Sequence, residues 1–287
     1  MPKFDVTQEM CRTEAELKAM DGTMPNRGDY QYLFDEEKEV RGPDGEVVAL
    51  LVTECLDKRL IENSAVSMRE VHGDLSNRGS IVYQGSMMNR ERADKTLSFT
   101  KHVPPEILEA LRKENERLGL TGPFSDFLGY YDKTVREPFC RETAWSLERS
   151  DIFEASRPLV AAVDQIYQEE LPEHWKRQRE FMDRVSPEFK YNNSVYSTVT
   201  VNLNVCSAYH TDANDFRGGM GNLVALELGD KHSGILVMAK FRIAFLVRPT
   251  DCLFMNVHEM HGNMPLTPGG ERLTCVLYAR EHLDECS

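Results

Sequence analysis

The sequence predicts an α+β fold in which a core of short strands carries a layer of helices. Three observations lead there. Between 191 and 280 the chain breaks into short β-branched and aliphatic runs separated by turns, the spacing of a sandwich, barrel or jelly roll. Through 101–190 apolar residues recur at helical intervals instead. Finally, 195–205 alternates apolar and polar residues strictly enough to fix a strand with two different faces.

The chain has 287 residues, 41% apolar and 28% charged, enough for one elaborated domain or two small ones. No run approaches a membrane span, and the N-terminus lacks the apolar core of a signal peptide. Seven cysteines without a Cys-x-x-Cys pair argue against a disulfide framework and for a reducing, intracellular compartment. A balance of 34 Lys+Arg against 47 Asp+Glu, −13 in all, argues against long-range attraction to nucleic acid.

In chain order, 1–41 reads as loop and short helix, and Gly42-Pro43-Asp44-Gly45 as a turn, because Pro presets φ and Gly accepts φ > 0. The β-branched run 46–52 reads as a strand and the Gly/Asn/Ser/Arg-rich stretch 73–96 as loop. Helices are expected over 104–118, 151–168 and 172–185, the first and third opening on proline. Strands follow at 195–205, 222–228, 235–238, 242–247, 252–257 and 273–279. The organisation is a turn-rich N-terminal extension (1–100), a helical support region (101–190) and a β core (191–287) within one composite domain.

On 195–205, Tyr196, Thr198, Thr200, Asn202 and Asn204 share one face. That face is either half-solvated or the wall of a ligand cavity. The residues downstream favour the cavity. His210-Thr211-Asp212 comes directly after the strand, and residues i and i+2 can project toward one point. His72-x-Asp74 and His282-x-Asp284 lack such a strand context. Further on lie His258 and His261; three residues apart on an extended strand, they face opposite ways, and His261, followed by Gly262, is the expected partner. Two imidazoles and a carboxylate on one face of a metal are the donor set of a non-haem Fe(II) centre that leaves positions open. Arg272 and Thr274 share a face of the last strand and could fork a carboxylate; a surface Arg272 paired with Glu271 is the plainer alternative.

His210-x-Asp212, His261 about fifty residues on, and Arg272 eleven later resemble the pattern of the Fe(II)/2-oxoglutarate-dependent dioxygenases. Val199-Thr200-Val201-Asn202, Tyr209 to Asp212 with Asp215-Phe216, Gly221-Asn222-Leu223-Val224, Arg248-Pro249-Thr250-Asp251 and His261-Gly262-Asn263 resemble its TET/JBP group, and Cys140-Arg141-Glu142-Thr143 its thymine-hydroxylase arm. The resemblance covers roughly 125–285 and departs at Thr250, where Gly is usual. It implies a double-stranded β-helix (jelly-roll) core with added helices. It implies Fe(II) on His210, Asp212 and His261, and 2-oxoglutarate held by Arg272 and Thr274, with O2 as cosubstrate. Asn202, Thr200 and Tyr196 would line the wall near cosubstrate or substrate. The implied reaction hydroxylates the C5 methyl of thymine or 5-methylcytosine in DNA. The alternatives are the same chemistry on a free amino acid, small metabolite or protein side chain, and a cupin-like module that binds without turnover.

A DNA substrate would need a local basic patch, because the whole chain is acidic. Residues 195–287 hold seven Lys+Arg and ten Asp+Glu, so most of the excess acid lies upstream. Arg78, Arg90, Arg92, Arg136 and Arg141, with Asn222, are the candidate nucleic-acid contacts; a solvated loop surface is the competing account of the arginines.

Overall fold

The computed structural model describes residues 1–71, 81–82, 109–110, 113, 123–134, 137–229, 234–267 and 270–286. The helix expected over 104–118 and the loop over 73–96 lie mostly outside them, as do Arg78, Arg90, Arg92 and Arg136.

Among the described residues two sheets face each other. The larger runs in the order β1 (Lys3–Asp5), β3 (Lys38–Arg41), β4 (Val47–Val52), β13 (Cys252–Met255), β10 (Gly221–Leu228), β15 (Arg272–Tyr278), β8 (Thr198–Leu203), β6 (Phe124–Tyr131) and β7 (Arg141–Glu142). The smaller is β14 (His261–Asn263), β11 (Ile235–Met238), β12 (Ile243–Leu246) and β2 (Tyr32–Phe34). A short pair joins β5 (Ile81–Val82) to β9 (Cys206–Ser207), and β9 lies between β8 and His210 in the chain. This is the jelly-roll α+β architecture. Strands of 1–100 enter both sheets: β4 pairs antiparallel with β13 and β2 parallel with β12.

The strand alternation sorts the side chains between two cores. Val199, Val201 and Leu203 of β8 and Leu273, Cys275 and Leu277 of β15 pack toward the helices. These helices are α2 (Lys58–Met68), α4 (Ser150–Glu170) and α5 (Pro172–Arg184), which follow α1 (Glu14–Met20) and α3 (Ala144–Glu148) in the numbering. Helix α4 contributes Ile152, Leu159, Val160, Val163 and Tyr167, an i, i+3/i+4 stripe, so its apolar side covers the back of the larger sheet. Each such side chain, fully buried, is worth about 1.5–3 kcal/mol, so the helix layer holds the sheet rigid behind the cavity. Between the sheets, Leu223, Leu236, Met238, Phe245, Leu253 and Met255 form a second core. No helix among the described residues is long and apolar enough to cross a membrane.

Several findings depart from the sequence reading: residues 1–41, expected as loop and short helix, also carry the strands β1, β2 and β3. Strand β6 was not expected; its Phe124–Tyr131 pairs with β8 from Phe124↔Leu203 to Gly129↔Thr198. And Cys140 and Cys286, expected to stay unpaired, form a disulfide across 146 residues of sequence, while Cys11, Cys55, Cys206, Cys252 and Cys275 remain free. A bond between such distant cysteines leaves no local spacing signal.

Gly129 fixes how β6 meets its neighbours. Its φ is +101°, and a Cβ there would lie 2.3 Å from the Ser197 carbonyl oxygen and 3.1 Å from the Thr198 Cα. Its N–H donates to Ser146 Oγ at 2.8 Å, and its carbonyl accepts from the Thr143 N–H at 2.8 Å. Gly129→Ala is therefore expected to destabilise the fold by about 3 kcal/mol through overlap and strain. Urea unfolding would measure it, and a loss below about 1 kcal/mol would contradict this packing.

Candidate metal centre and cavity

The chain reaches the first histidine through a segment pinned on both sides. Tyr209 donates its N–H to the Thr23 carbonyl at 2.9 Å and accepts from the Gly22 N–H at 2.9 Å. His210 and His261 then form an antiparallel bridge, each N–H donating to the other's carbonyl at 3.0 Å. Asp212 is held by its N–H on the Val257 carbonyl at 3.0 Å. Residues from the segment after β9, from β14 and from the turn after β13 thus converge.

The side chains converge as well. The Nε2 atoms of His210 and His261 each lie 3.5 Å from an oxygen of Asp212. The three ligand atoms all fall within 4.8 Å of one another. His210 Nδ1 is 2.7 Å from the Ala208 carbonyl oxygen and His261 Nδ1 is 2.9 Å from that of Glu259. A carbonyl can only accept, so each Nδ1 donates a proton there and each Nε2 is the atom turned toward Asp212, able to share a proton with the carboxylate or, once that proton is lost, to give its lone pair to a metal. Backbone orientation of the distal nitrogen is the support that metal-ligating histidines use. Burial by itself would raise the Asp212 carboxyl, but the hydrogen bonds and charge of His210 and His261 outweigh it and hold the group well below the usual carboxylate range. Burial opposes charging His210, yet the Asp212 carboxylate pulls the imidazole's pKa up. A site that attracts protons this way also attracts a cation, and neutral nitrogen donors with one carboxylate fit Fe(II). His261 completes this cluster. His258 does not join it: its N–H donates to Asn256 Oδ1 at 3.1 Å and its Nε2 is buried without a hydrogen-bond partner.

The cluster opens into a cavity of about 710 Å³. Thr200 and Asn202 of β8 and Thr274, Val276 and Tyr278 of β15 line it, as the alternation predicts. Thr274 sits directly across from Asn202. Arg272 shares that strand face but is itself buried, 2% exposed, and is not part of the lining. Its Nη2 donates to the carbonyl of Val205, a lining residue, and its N–H to Asn204 Oδ1 at 2.8 Å. Burial lowers its pKa, yet a guanidinium remains charged. The sequence alternative of a surface Arg272 paired with Glu271 is thereby excluded; Glu271 contacts Arg69.

Tyr196 is a correction. Strand β8 starts at Thr198, three residues later than expected, and the chain before it bends. Tyr196 is consequently 0% exposed in the helix-side core, stacked near Tyr167 at 6.2 Å, and lines no part of the cavity. Asn222 belongs to the lining but is fully buried; its Nδ2 donates to the Met220 carbonyl at 3.4 Å and its Oδ1 has no hydrogen-bond partner. Of the candidate nucleic-acid arginines only Arg141 is described, and it lines the cavity.

Sequence reasoning marks Tyr130-Tyr131 beside Lys133, Arg136 and Arg141 as a basic and aromatic cluster that could stack bases, but it missed the strand β6 and the wall that Ser125 and Phe127 build there. Ser125, Phe127 and Tyr131 line the cavity, with Phe127 and Tyr131 edge-to-face at 5.5 Å. It also missed Arg280, whose Nε donates to buried Asp132 Oδ1 at 2.6 Å and whose guanidinium lies 4.8 Å from the Tyr131 ring. Asp215, another lining residue, bridges Arg280 through the backbone. Burial first, then the Asp212 charge, push its carboxyl well up. The aromatic content of 124–131 was the available signal for this wall. The departure at Thr250 also has a geometry: φ is +79°, the conformation that glycine adopts freely. The Thr250 carbonyl accepts from the N–H groups of Cys55 and Leu56 at 3.0 Å each, while Asp251 accepts from the N–H groups of Glu54 and Arg248 at 3.0 and 2.9 Å, so the turn is held despite its β-branched residue.

A jelly roll with a His-x-Asp…His cluster opening into a cavity of mixed polar and apolar lining is the architecture of the mononuclear iron oxygenases. Residues 126–281 match the family model described as the oxygenase domain of the 2OGFeDO superfamily (Tet_JBP), and the chain belongs to that family. It is 33% identical over 201 residues to a thymine dioxygenase, JBP1, of Trypanosoma brucei brucei, covering 66% of this chain and 23% of that protein. It is 34% identical over 177 residues to JBP1 of Crithidia fasciculata, covering 59% and 21%. The chain thus spans less than a quarter of the length of these relatives. The solved structure of NgTET1 in complex with 5mC DNA shares the fold, with a TM-score of 0.56 and 16% identity over 95% of this chain and 93% of that one.

Proposed function

We propose that the protein is an Fe(II)/2-oxoglutarate-dependent dioxygenase that hydroxylates the C5 methyl of a pyrimidine, thymine or 5-methylcytosine, in DNA. The observation that carries this reading is one cavity holding the His210/Asp212/His261 cluster, the Thr274–Asn202 wall and the aromatic Phe127–Tyr131 wall together. Its volume of about 710 Å³ falls in the range that takes a small ligand with its cosubstrate. The similarity to thymine dioxygenases supports the choice of substrate.

His210, Asp212 and His261 would hold the iron, which supplies activation of O2 coupled to oxidative decarboxylation of 2-oxoglutarate. Arg272 and Thr274 would anchor the cosubstrate's distal carboxylate. Phe127 and Tyr131 would present aromatic faces to a base that has left the stack, since a methyl group inside a duplex cannot reach the cluster. The walls would fix which C–H bond faces the metal. A DNA substrate places the activity inside the cell, in the cytoplasm or, in a eukaryote, the nucleus.

The test is incubation with thymine- and 5-methylcytosine-containing DNA, single- and double-stranded, with Fe(II), 2-oxoglutarate and ascorbate, followed by nucleoside mass spectrometry. 5-Hydroxymethyl products that disappear with His210→Ala are expected. Succinate release without any oxidised pyrimidine would shift the substrate to a small metabolite or protein side chain. No succinate above His210→Ala would leave a binding module.

A further inference from the structure

Two arginines approach the Tyr131 ring at the cavity, and their partners differ. Arg280 is tied to Asp132, whose side chain is 3% exposed. Arg141, 5.2 Å from the same ring, is paired through Nη2 with Glu137, whose side chain is 46% exposed. Separating a buried pair is costly, whereas an exposed pair exchanges readily with solvent or another anion. Arg280 is therefore committed and Arg141 is available. Arg141 also has an unused donor: its Nη1 is buried without a hydrogen-bond partner, although the residue lines the cavity. A guanidinium in this state presents one edge to a carboxylate and keeps a second N–H for another acceptor oxygen.

The loop that carries Glu137 is built to hold this geometry. The Thr134 N–H donates to the Glu137 carbonyl at 2.8 Å, and the Glu137 N–H donates to Thr134 Oγ1 at 3.1 Å. On one side Lys133 Nζ donates to the Glu285 carbonyl at 2.7 Å; on the other Cys140, beside Arg141, is bonded to Cys286. The backbone is anchored at both ends, while the Glu137 side chain that reaches Arg141 stands partly in solvent.

We propose that Glu137 occupies Arg141 as a displaceable stand-in for a substrate phosphate. This rests on the reading of the substrate as a nucleotide in DNA. When the base enters the cavity, its flanking phosphodiester stays at the rim, where two non-bridging oxygens match the Arg141 fork and can also take the Nη1 donor. The carboxylate lowers affinity for DNA that has not delivered a base, which suits a chain of net charge −13.

The experiment is calorimetric titration of the holoprotein, anaerobic with Fe(II) and 2-oxoglutarate, with thymidine 3′,5′-bisphosphate and separately with thymidine. Glu137→Gln should bind the bisphosphate about three- to tenfold tighter than wild type. The gain should vanish in Glu137→Gln/Arg141→Ala and be absent for thymidine. Equal binding by wild type and Glu137→Gln, no detectable binding by either, a gain that survives without Arg141, or the same gain for thymidine would each overturn the proposal. A gain through Arg141 in a protein that oxidises no pyrimidine would leave the phosphate site standing and refute the DNA reading. Oxidised pyrimidine with no gain would do the reverse.

Discussion

Asp212→Ala is expected to lower iron-dependent succinate formation at least about 100-fold and to remove the thermal stabilisation that Fe(II) gives the wild type. The carboxylate is the sole anion of the cluster, and its two oxygens each face one imidazole Nε2 at 3.5 Å. Without it two neutral nitrogens remain, a donor set that is neither charge-compensated nor facial. A 100-fold loss of affinity would cost about 2.7 kcal/mol of metal-linked stability, several degrees in Tm. The apo fold should survive, because the His210–His261 bridge is made by backbone groups that the substitution leaves in place. His258→Ala is the control: outside the cluster, it should keep the metal-induced shift in full. A wild-type shift in Asp212→Ala, or its loss in His258→Ala, would mean that the ligand set is wrong.

The contrast between these histidines also marks what a sequence reveals. His210 and Asp212 are legible because i and i+2 at a strand end share a direction, a local property. Strand parity says only that His258 and His261 face opposite ways; the choice of His261 rests on the Gly262 that follows it and on the eleven residues to Arg272, because the difference between the two histidines arises from the turn after β13. The polar faces of β8 and β15 were legible for the same local reason, and Thr200, Asn202 and Thr274 all reach the cavity. Tyr196 shows the limit of that rule. Parity holds only within the strand, and two residues before its start a bend turned the ring into the helix-side core. Strand β6 escaped because Leu128, Gly129 and Tyr130 are successive buried positions, so its burial pattern does not alternate. The three-residue strands of the N-terminus are too short for any period to show, and they acquire their conformation from pairing with β3 and β12. Non-local partnerships of this kind also hid the Arg280–Asp132 pair and the Cys140–Cys286 bond.

Arg272→Lys should raise the KM for 2-oxoglutarate about 10- to 100-fold while leaving the Fe(II)-induced thermal shift unchanged. The substitution keeps the positive charge, so it isolates the geometry of the fork. A guanidinium can meet both oxygens of a carboxylate in one plane and still donate to the Val205 carbonyl, as Nη2 does here. An ammonium is a point donor that must choose between them. The backbone anchor, Arg272 N–H to Asn204 Oδ1, does not involve the side chain, so β15 should keep its register against β8. Thr274→Val, nearly isosteric, removes a single hydroxyl from the cavity wall and should raise the same KM by a smaller factor, about three- to tenfold. The two losses should combine less than additively, because both groups are assigned to one carboxylate. An Arg272→Lys protein whose KM stays within about twofold of wild type would place the cosubstrate's anchor elsewhere in the cavity, and Arg280 or Arg141 would be the next cations to test.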